Sequence, residues 1–198
     1  MALKIWSAGE TLAAADLNNN FTEVGGSLTA VFPSPAYAAK HNTEATIYPS
    51  SNTTGYTGSF ILPSSITINK ISFYINTVTA SGTVKLGIYS ADGQTRYLND
   101  TTSTISVASA AFTHTLSTAT FLAQSQYYFV IVPVSTTNIS LYGFERMDVG
   151  SLLNSITSEP KLYGTLTVTA GTLPTTFTPS SAITDSATGL LPTMRFDN

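Results

Sequence analysis

Apolar and polar residues alternate with a period of two through much of the chain beyond residue 58, and no long stretch there follows the 3.6-residue period of a helix. Ile66-Thr-Ile68-Asn-Lys-Ile71-Ser-Phe73-Tyr-Ile75-Asn76 alternates for most of its length, and Val84, Leu86 and Ile88 fall on one face of Thr83–Ser90. A side chain projects to opposite faces at successive strand positions, so this pattern predicts strands with one buried and one wet face. Ala91-Asp92-Gly93-Gln94 carries the Asp-Gly hairpin signal, and Thr95–Leu98 is predicted to return antiparallel. Ser59–Pro63, Asn138–Gly143, Leu162–Val168 and Leu191–Phe196 read as further strands, and Thr104–Val107 and Ala111–Leu116 as two weaker ones. Gln126–Val134 is different: its almost continuous apolar run predicts a strand buried on both faces. Strands at short spacing, separated by Gly, Asn and Pro turns, imply an antiparallel sandwich, and their number favours a jelly roll.

Composition agrees with this and narrows the function. Charged residues are only 10% of the chain, against roughly 25% in an average soluble protein. Ser and Thr fill the gap with more than a quarter of all residues. Thr is β-branched and sits on a solvated strand face without charge. Sparse charge also suits a surface buried in an assembly, where each ion would need a partner. The net charge is −3, and the 8 basic residues are scattered. No cluster could neutralise several phosphates, so nucleic acid is not an expected partner. Without cysteine there is no disulfide, thiolate metal site or cysteine nucleophile. No signal peptide opens the chain, and no run approaches a membrane span, so neither secretion by that route nor membrane insertion is expected.

Candidate chemistry is thin. The 2 histidines, His41 and His114, have no zinc-ligand spacing, and no Gly-x-Ser-x-Gly elbow surrounds a serine. Glu145 and Asp148 flank Arg146 in the most charged loop, Gly143–Gly150. Such a pair could serve glycoside hydrolysis, but ion pairing with Arg146 or solvent is the simpler reading. Asp92 and Asp100 each lie in a predicted turn, where Asp accepts a backbone bond. There is no phosphate loop and no EF-hand string, so no metal or cofactor is expected, though backbone carbonyls leave calcium in a loop open. Four tyrosines near loops or strand ends, Tyr48, Tyr56, Tyr142 and Tyr163, are candidate glycan contacts through ring stacking. Gly171–Gly189 has almost no charge and little periodicity. It reads either as a flexible loop or as a segment lying against a neighbouring subunit with Leu173, Phe177 and Ile183.

The opening of the chain has its own character. In Trp6-Ser-Ala-Gly9-Glu10-Thr11-Leu12-Ala-Ala-Ala-Asp16-Leu17-Asn18-Asn-Asn-Phe21-Thr-Glu23-Val24, the apolar residues Leu17, Phe21 and Val24 recur at i, i+4 and i+7. That spacing predicts a short amphipathic helix, too small to form a core and followed at once by Gly25-Gly26. Residues 3–24 resemble the "W/F…G…L-T-A-A-D-L-N-x-x-F" opening of tailed-bacteriophage virion proteins of fibre, baseplate or head-decoration type; Ala13 stands where that pattern usually has Thr. Residues 70–93 and 121–134 also resemble hairpins of phage and carbohydrate-binding-like sandwiches.

The resemblance implies an N-terminal virion-attachment segment, residues 1–24, with Trp6, Leu12, Leu17, Asn18, Phe21 and Val24 as its anchor residues. Residues 25–42, with Pro33 and Pro35, read as an extended connector, and residues 43–198 as a jelly-roll β-sandwich. The implied function is a non-enzymatic structural protein of the virion, assembled in the host cytoplasm. Its implied partners are capsid, portal-proximal or tail proteins, two further copies in a homotrimer, and host surface glycan. The alternative is a carbohydrate-binding receptor-recognition module of a tail fibre.

Overall fold

The computed structural model describes residues 30–32, 44–47, 51–134, 139–145, 160–184, 190–192 and 194–198. The attachment segment and most of the connector therefore lie outside the described residues. What is described is almost entirely antiparallel β-structure in two sheets. The strands are β1 (Ala30–Phe32), β2 (Glu44–Ile47), β3 (Thr54–Ile61), β4 (Ile66–Val78), β5 (Val84–Ser90), β6 (Arg96–Thr101), β7 (Ala110–Leu122), β8 (Gln126–Pro133), β9 (Ile139–Glu145), β10 (Tyr163–Thr167), β11 (Ile183–Thr184), β12 (Leu190–Pro192) and β13 (Met194–Asp197). A single helical turn, α1 (Pro179–Ala182), precedes β11.

The 6-stranded sheet has the order β11-β10-β3-β8-β5-β6. The 7-stranded sheet is organised by the long strand β4, which pairs with β7 along one edge. Its other edge is shared, with Lys70–Phe73 against β13 and Ile75–Val78 against β9. Strand β9 also pairs with β2 and β12. The main core lies between the sheets, and the alternating residues fill it: Ile66, Ile68, Ile71, Phe73 and Ile75 from β4 meet Val84, Leu86 and Ile88 from β5 and Tyr127, Phe129 and Ile131 from β8. Phe60 stacks on Phe196 at 4.9 Å, joining the two sheets.

The predicted strands over residues 66–76, 83–90, 126–134, 138–143 and 162–168 correspond to β4, β5, β8, β9 and β10 within a few residues. Thr104–Val107 does not form a strand; Ile105 makes one isolated bridge to Gly82 and buries its side chain. Strand β8 is buried on both faces, as its apolar run predicts. Phe129 and Ile131 face the main core, whereas Tyr128, Val130 and Val132 face a second apolar cluster on the outer side of the same sheet.

That second cluster closes beneath the segment from Val168 to Ile183. Leu173, Phe177 and Ile183 lie buried on Tyr89, Tyr128, Val130 and Val132, so this part of the chain packs on its own sheet. Neither expectation for Gly171–Gly189, a flexible loop or a cover for a neighbouring subunit, describes residues 171–184. The lid is also tied down by polar bonds. Tyr89 Oη donates to the Pro174 carbonyl at 2.7 Å, Tyr128 Oη to the Lys161 carbonyl at 2.7 Å, and Lys161 Nζ to the Ile183 carbonyl at 2.7 Å. The Phe177 N–H donates to the Gly93 carbonyl at 3.0 Å. Gly93 thus has two duties. It adopts φ +71° in the β5–β6 turn, and a Cβ there would stand 2.1 Å from the Phe177 carbonyl oxygen. Only glycine meets both demands.

Candidate functional site

Strands β6 and β7 are neighbours across an open side of the sandwich, and each departs there from regular pairing. In β6 the register shifts between Ile88–Leu98 and Tyr89–Arg96, which leaves Tyr97 as an extra residue. In β7 the register shifts between Ile68–Thr120 and Lys70–Thr115, so residues 116–119 stand opposite Asn69 alone. A β-bulge bends its strand and re-aims the side chains of the extra residues, commonly at sheet edges. Here two bulges face each other.

Between them lies a groove of about 400 Å³, lined among others by Tyr97, Asn99, Ser117, Thr118, Thr120 and Phe121. Tyr97 is 45% exposed and Phe121 63% exposed, unusually open for such large rings. Tyr97 is fixed by a perpendicular contact with Tyr127, centroids 5.6 Å apart. The Tyr127 ring is itself pinned in the core, its hydroxyl donating to the Ala123 carbonyl at 2.9 Å. No lining residue carries a formal charge.

The wall formed by the β7 bulge is held from behind by Asp100, which is 9% exposed. One carboxylate oxygen accepts the Thr101 N–H at 2.7 Å, and the other accepts the Ser117 N–H at 2.7 Å, a donor released from the ladder by the bulge. Burial pushes the Asp100 carboxyl up, but the bonds from Ser117 and Thr101 and the nearby His114 outweigh it and hold the group below the usual carboxylate value. His114, 8% exposed, places Nε2 3.5 Å from the same carboxylate.

Ser117, His114 and Asp100 are the three residue types of a nucleophilic triad, but their order is wrong for that chemistry. A triad needs the imidazole between hydroxyl and carboxylate, so that it can take the serine proton. Here the carboxylate is central, with the Ser117 N–H bonded to one of its oxygens, the Ser117 hydroxyl turned to it as well, and His114 beside that same oxygen. The arrangement is a clasp joining an edge of the smaller sheet to an edge of the larger one. Among the described residues no group of three or more His, Cys, Asp or Glu could hold a metal ion.

No protein-family model matches this chain, and no curated protein matches it.

The residues proposed from sequence fall in several places. Trp6, Leu12, Leu17, Asn18, Phe21 and Val24 lie outside the described residues, as do Tyr48, His41 and Asp148. Tyr56 is half-buried against the main core, and burial pushes its hydroxyl pKa up. Tyr142 is half-buried and makes an edge contact with Tyr74 at 5.2 Å. Tyr163 is 3% exposed and belongs to the main core. Glu145 is the last residue of β9, its backbone paired with Leu190. Of those that are described, none lines the groove. Tyr97, Asn99 and Phe121 are the residues sequence reasoning missed. Phe121 alone had a signal, a fault in the alternation where Leu116-Ser-Thr-Ala-Thr-Phe-Leu122 loses its apolar beat.

Proposed function

We propose that this protein is a non-enzymatic structural component of a bacteriophage virion. Residues 1–24 attach it to capsid, portal-proximal or tail proteins, and the β-sandwich, of jelly-roll type, projects outward as a homotrimer. The observation that carries this reading is the string Gly9-Glu10-Thr11-Leu12 with Asp16-Leu17-Asn18 and Phe21, whose apolar spacing predicts a helical face too small to bury itself. Two features support it. The domain beyond is mostly β with little charge, compatible with a subunit that covers much of its side surface. The Ser-His-Asp group is a clasp rather than a nucleophile, which favours a non-enzymatic role. The trimer rests on the resemblance alone.

The test is incorporation into particles. Virions assembled with the full chain should contain it, and virions assembled with a chain lacking residues 1–24 should not. Equal incorporation of both, or of neither, refutes the attachment role.

A second reading, a carbohydrate-binding module that recognises the host surface, is favoured by the uncharged groove with two exposed rings. The two readings are compatible, since a knob on a particle can also adhere.

A further inference from the structure

We infer that the groove between the β6 and β7 bulges binds an uncharged saccharide, with Tyr97 and Phe121 as stacking surfaces and Asn99, Thr118 and Thr120 as hydrogen-bonding partners. This inference rests on the second reading above and gives it a place and a ligand class.

Four observations select that class. The rings come first. Tyr97 and Phe121 keep large apolar areas in water at one groove; Tyr97 is the extra residue of the β6 bulge, and Phe121 pairs with Thr67 just beyond the β7 bulge. Scattered exposed aromatics are ordinary, but two on the rim of one groove form a platform. An aromatic face carries negative partial charge and attracts weakly positive C–H groups, such as those on the apolar face of a pyranose ring.

The second observation is the chemistry between the rings. Asn99 offers an amide, which both donates and accepts, and the two hydroxyls of Thr118 and Thr120 can also do both. Sugar hydroxyls need partners of this amphoteric kind.

Charge is third. None of the lining residues is ionised at neutral pH, and the carboxylate behind the wall, Asp100, is buried and already accepts two backbone N–H groups. A phosphate or sulfate would find no cation, and an ammonium no free anion.

The fourth observation excludes an extended peptide. Strand addition needs a regular run of free N–H and C=O groups at a sheet edge. Both edges are bulged at the groove, and the Ser117 N–H that an added strand would use is taken by Asp100. A volume of about 400 Å³ falls at the small end of ligand sites and suits one or two sugar rings.

Saturation-transfer NMR on the full chain at neutral pH tests the assignment, with glucose, galactose, N-acetylglucosamine and N-acetylgalactosamine as neutral probes and sialic acid and glucose 6-phosphate as charged ones. At least one neutral sugar should receive saturation at its ring C–H protons, and neither charged probe should. Phe121→Ser and Tyr97→Ala should each weaken the titrated affinity roughly fivefold to tenfold. Tyr74→Ala, which removes another exposed ring, should leave it unchanged. Phe121 is mostly solvent-exposed, so its replacement keeps the test valid even where loss of the Tyr97–Tyr127 contact disturbs folding. Silence from all four neutral sugars overturns the inference, as does a preference for a charged probe or affinity that survives Phe121→Ser. Because the readout needs no particle, its failure leaves attachment through residues 1–24 standing, and failure of attachment leaves the groove standing.

Discussion

Replacing Asp100 by Ala should cost the fold about 2–3 kcal/mol, the upper part of the range for hydrogen bonds to a charged group, because two such bonds are lost together. The structure supplies the reasoning. Asp100 accepts the Ser117 N–H at 2.7 Å and the Thr101 N–H at 2.7 Å while 9% exposed. The Ser117 donor belongs to the β7 bulge and has no strand opposite to receive it, so truncation strands it at the sheet edge. For a chain of this size, 1 kcal/mol moves the melting temperature by roughly 2–4 °C, so the expected drop is about 5–10 °C. Circular dichroism melts at neutral pH measure it. Asp100→Asn retains one acceptor oxygen but no charge, and should lose about half as much.

The pH dependence gives a second reading of the same bond. Asp100 is held below the ordinary carboxylate value of 3.8, so its stabilisation is complete above that pH. It fades as the pH falls through the lower, folded-state value. The gap between wild type and Asp100→Ala should therefore be full at neutral pH and close in strong acid. A variant that melts within about 1 °C of wild type at neutral pH would refute the clasp. So would a gap that persists unchanged at the lowest pH where the protein still folds.

Phe177→Ala should destabilise by about 3 kcal/mol, because its buried ring makes edge contacts with Tyr89 at 5.1 Å and Tyr128 at 5.7 Å; a urea midpoint that implies less than about 1 kcal/mol would mean the lid packs only loosely. Burial pushes the Tyr89 hydroxyl up from 10.0 to about 12 against the opposing pull of Arg96. A group raised in this way stabilises fully below its unfolded value and loses that contribution as pH rises through the folded one. Ultraviolet titration should show a tyrosine ionising near pH 12 together with alkaline unfolding, and Tyr89→Phe should remove that step.

The backbone periodicity of this protein is written locally and was legible. Ile66, Ile68, Ile71, Phe73 and Ile75 point to one face because β geometry alternates, and their irregular step at Asn69–Lys70 coincides with a shift of register. The double-sided burial of β8 was legible too, because beyond Gln126 no amide, hydroxymethyl or charged side chain interrupts either of its faces. The Asp92-Gly93 turn could be placed because positive φ favours glycine, although the second reason for that glycine, the Phe177 carbonyl lying against it, belongs to the tertiary structure.

The lid and the groove were not legible, and the causes differ. Leu173, Phe177 and Ile183 show three apolar residues without a period, since a segment that crosses strands takes its pattern from the sheet beneath it. The groove depends on two bulges, and a bulge is a relation between strands: the extra residue is extra only against a partner whose register is fixed elsewhere. Tyr97 reads as one more strand residue until Ile88–Leu98 and Tyr89–Arg96 are both paired. Asp100 reads as a turn residue until folding brings Ser117, 17 positions away, to its carboxylate. The sequence by itself determined which segments become strands and which faces are apolar, because those follow from the alternation of one chain. Register, lid and groove were decided only by packing one strand or sheet against another, where distant residues first meet.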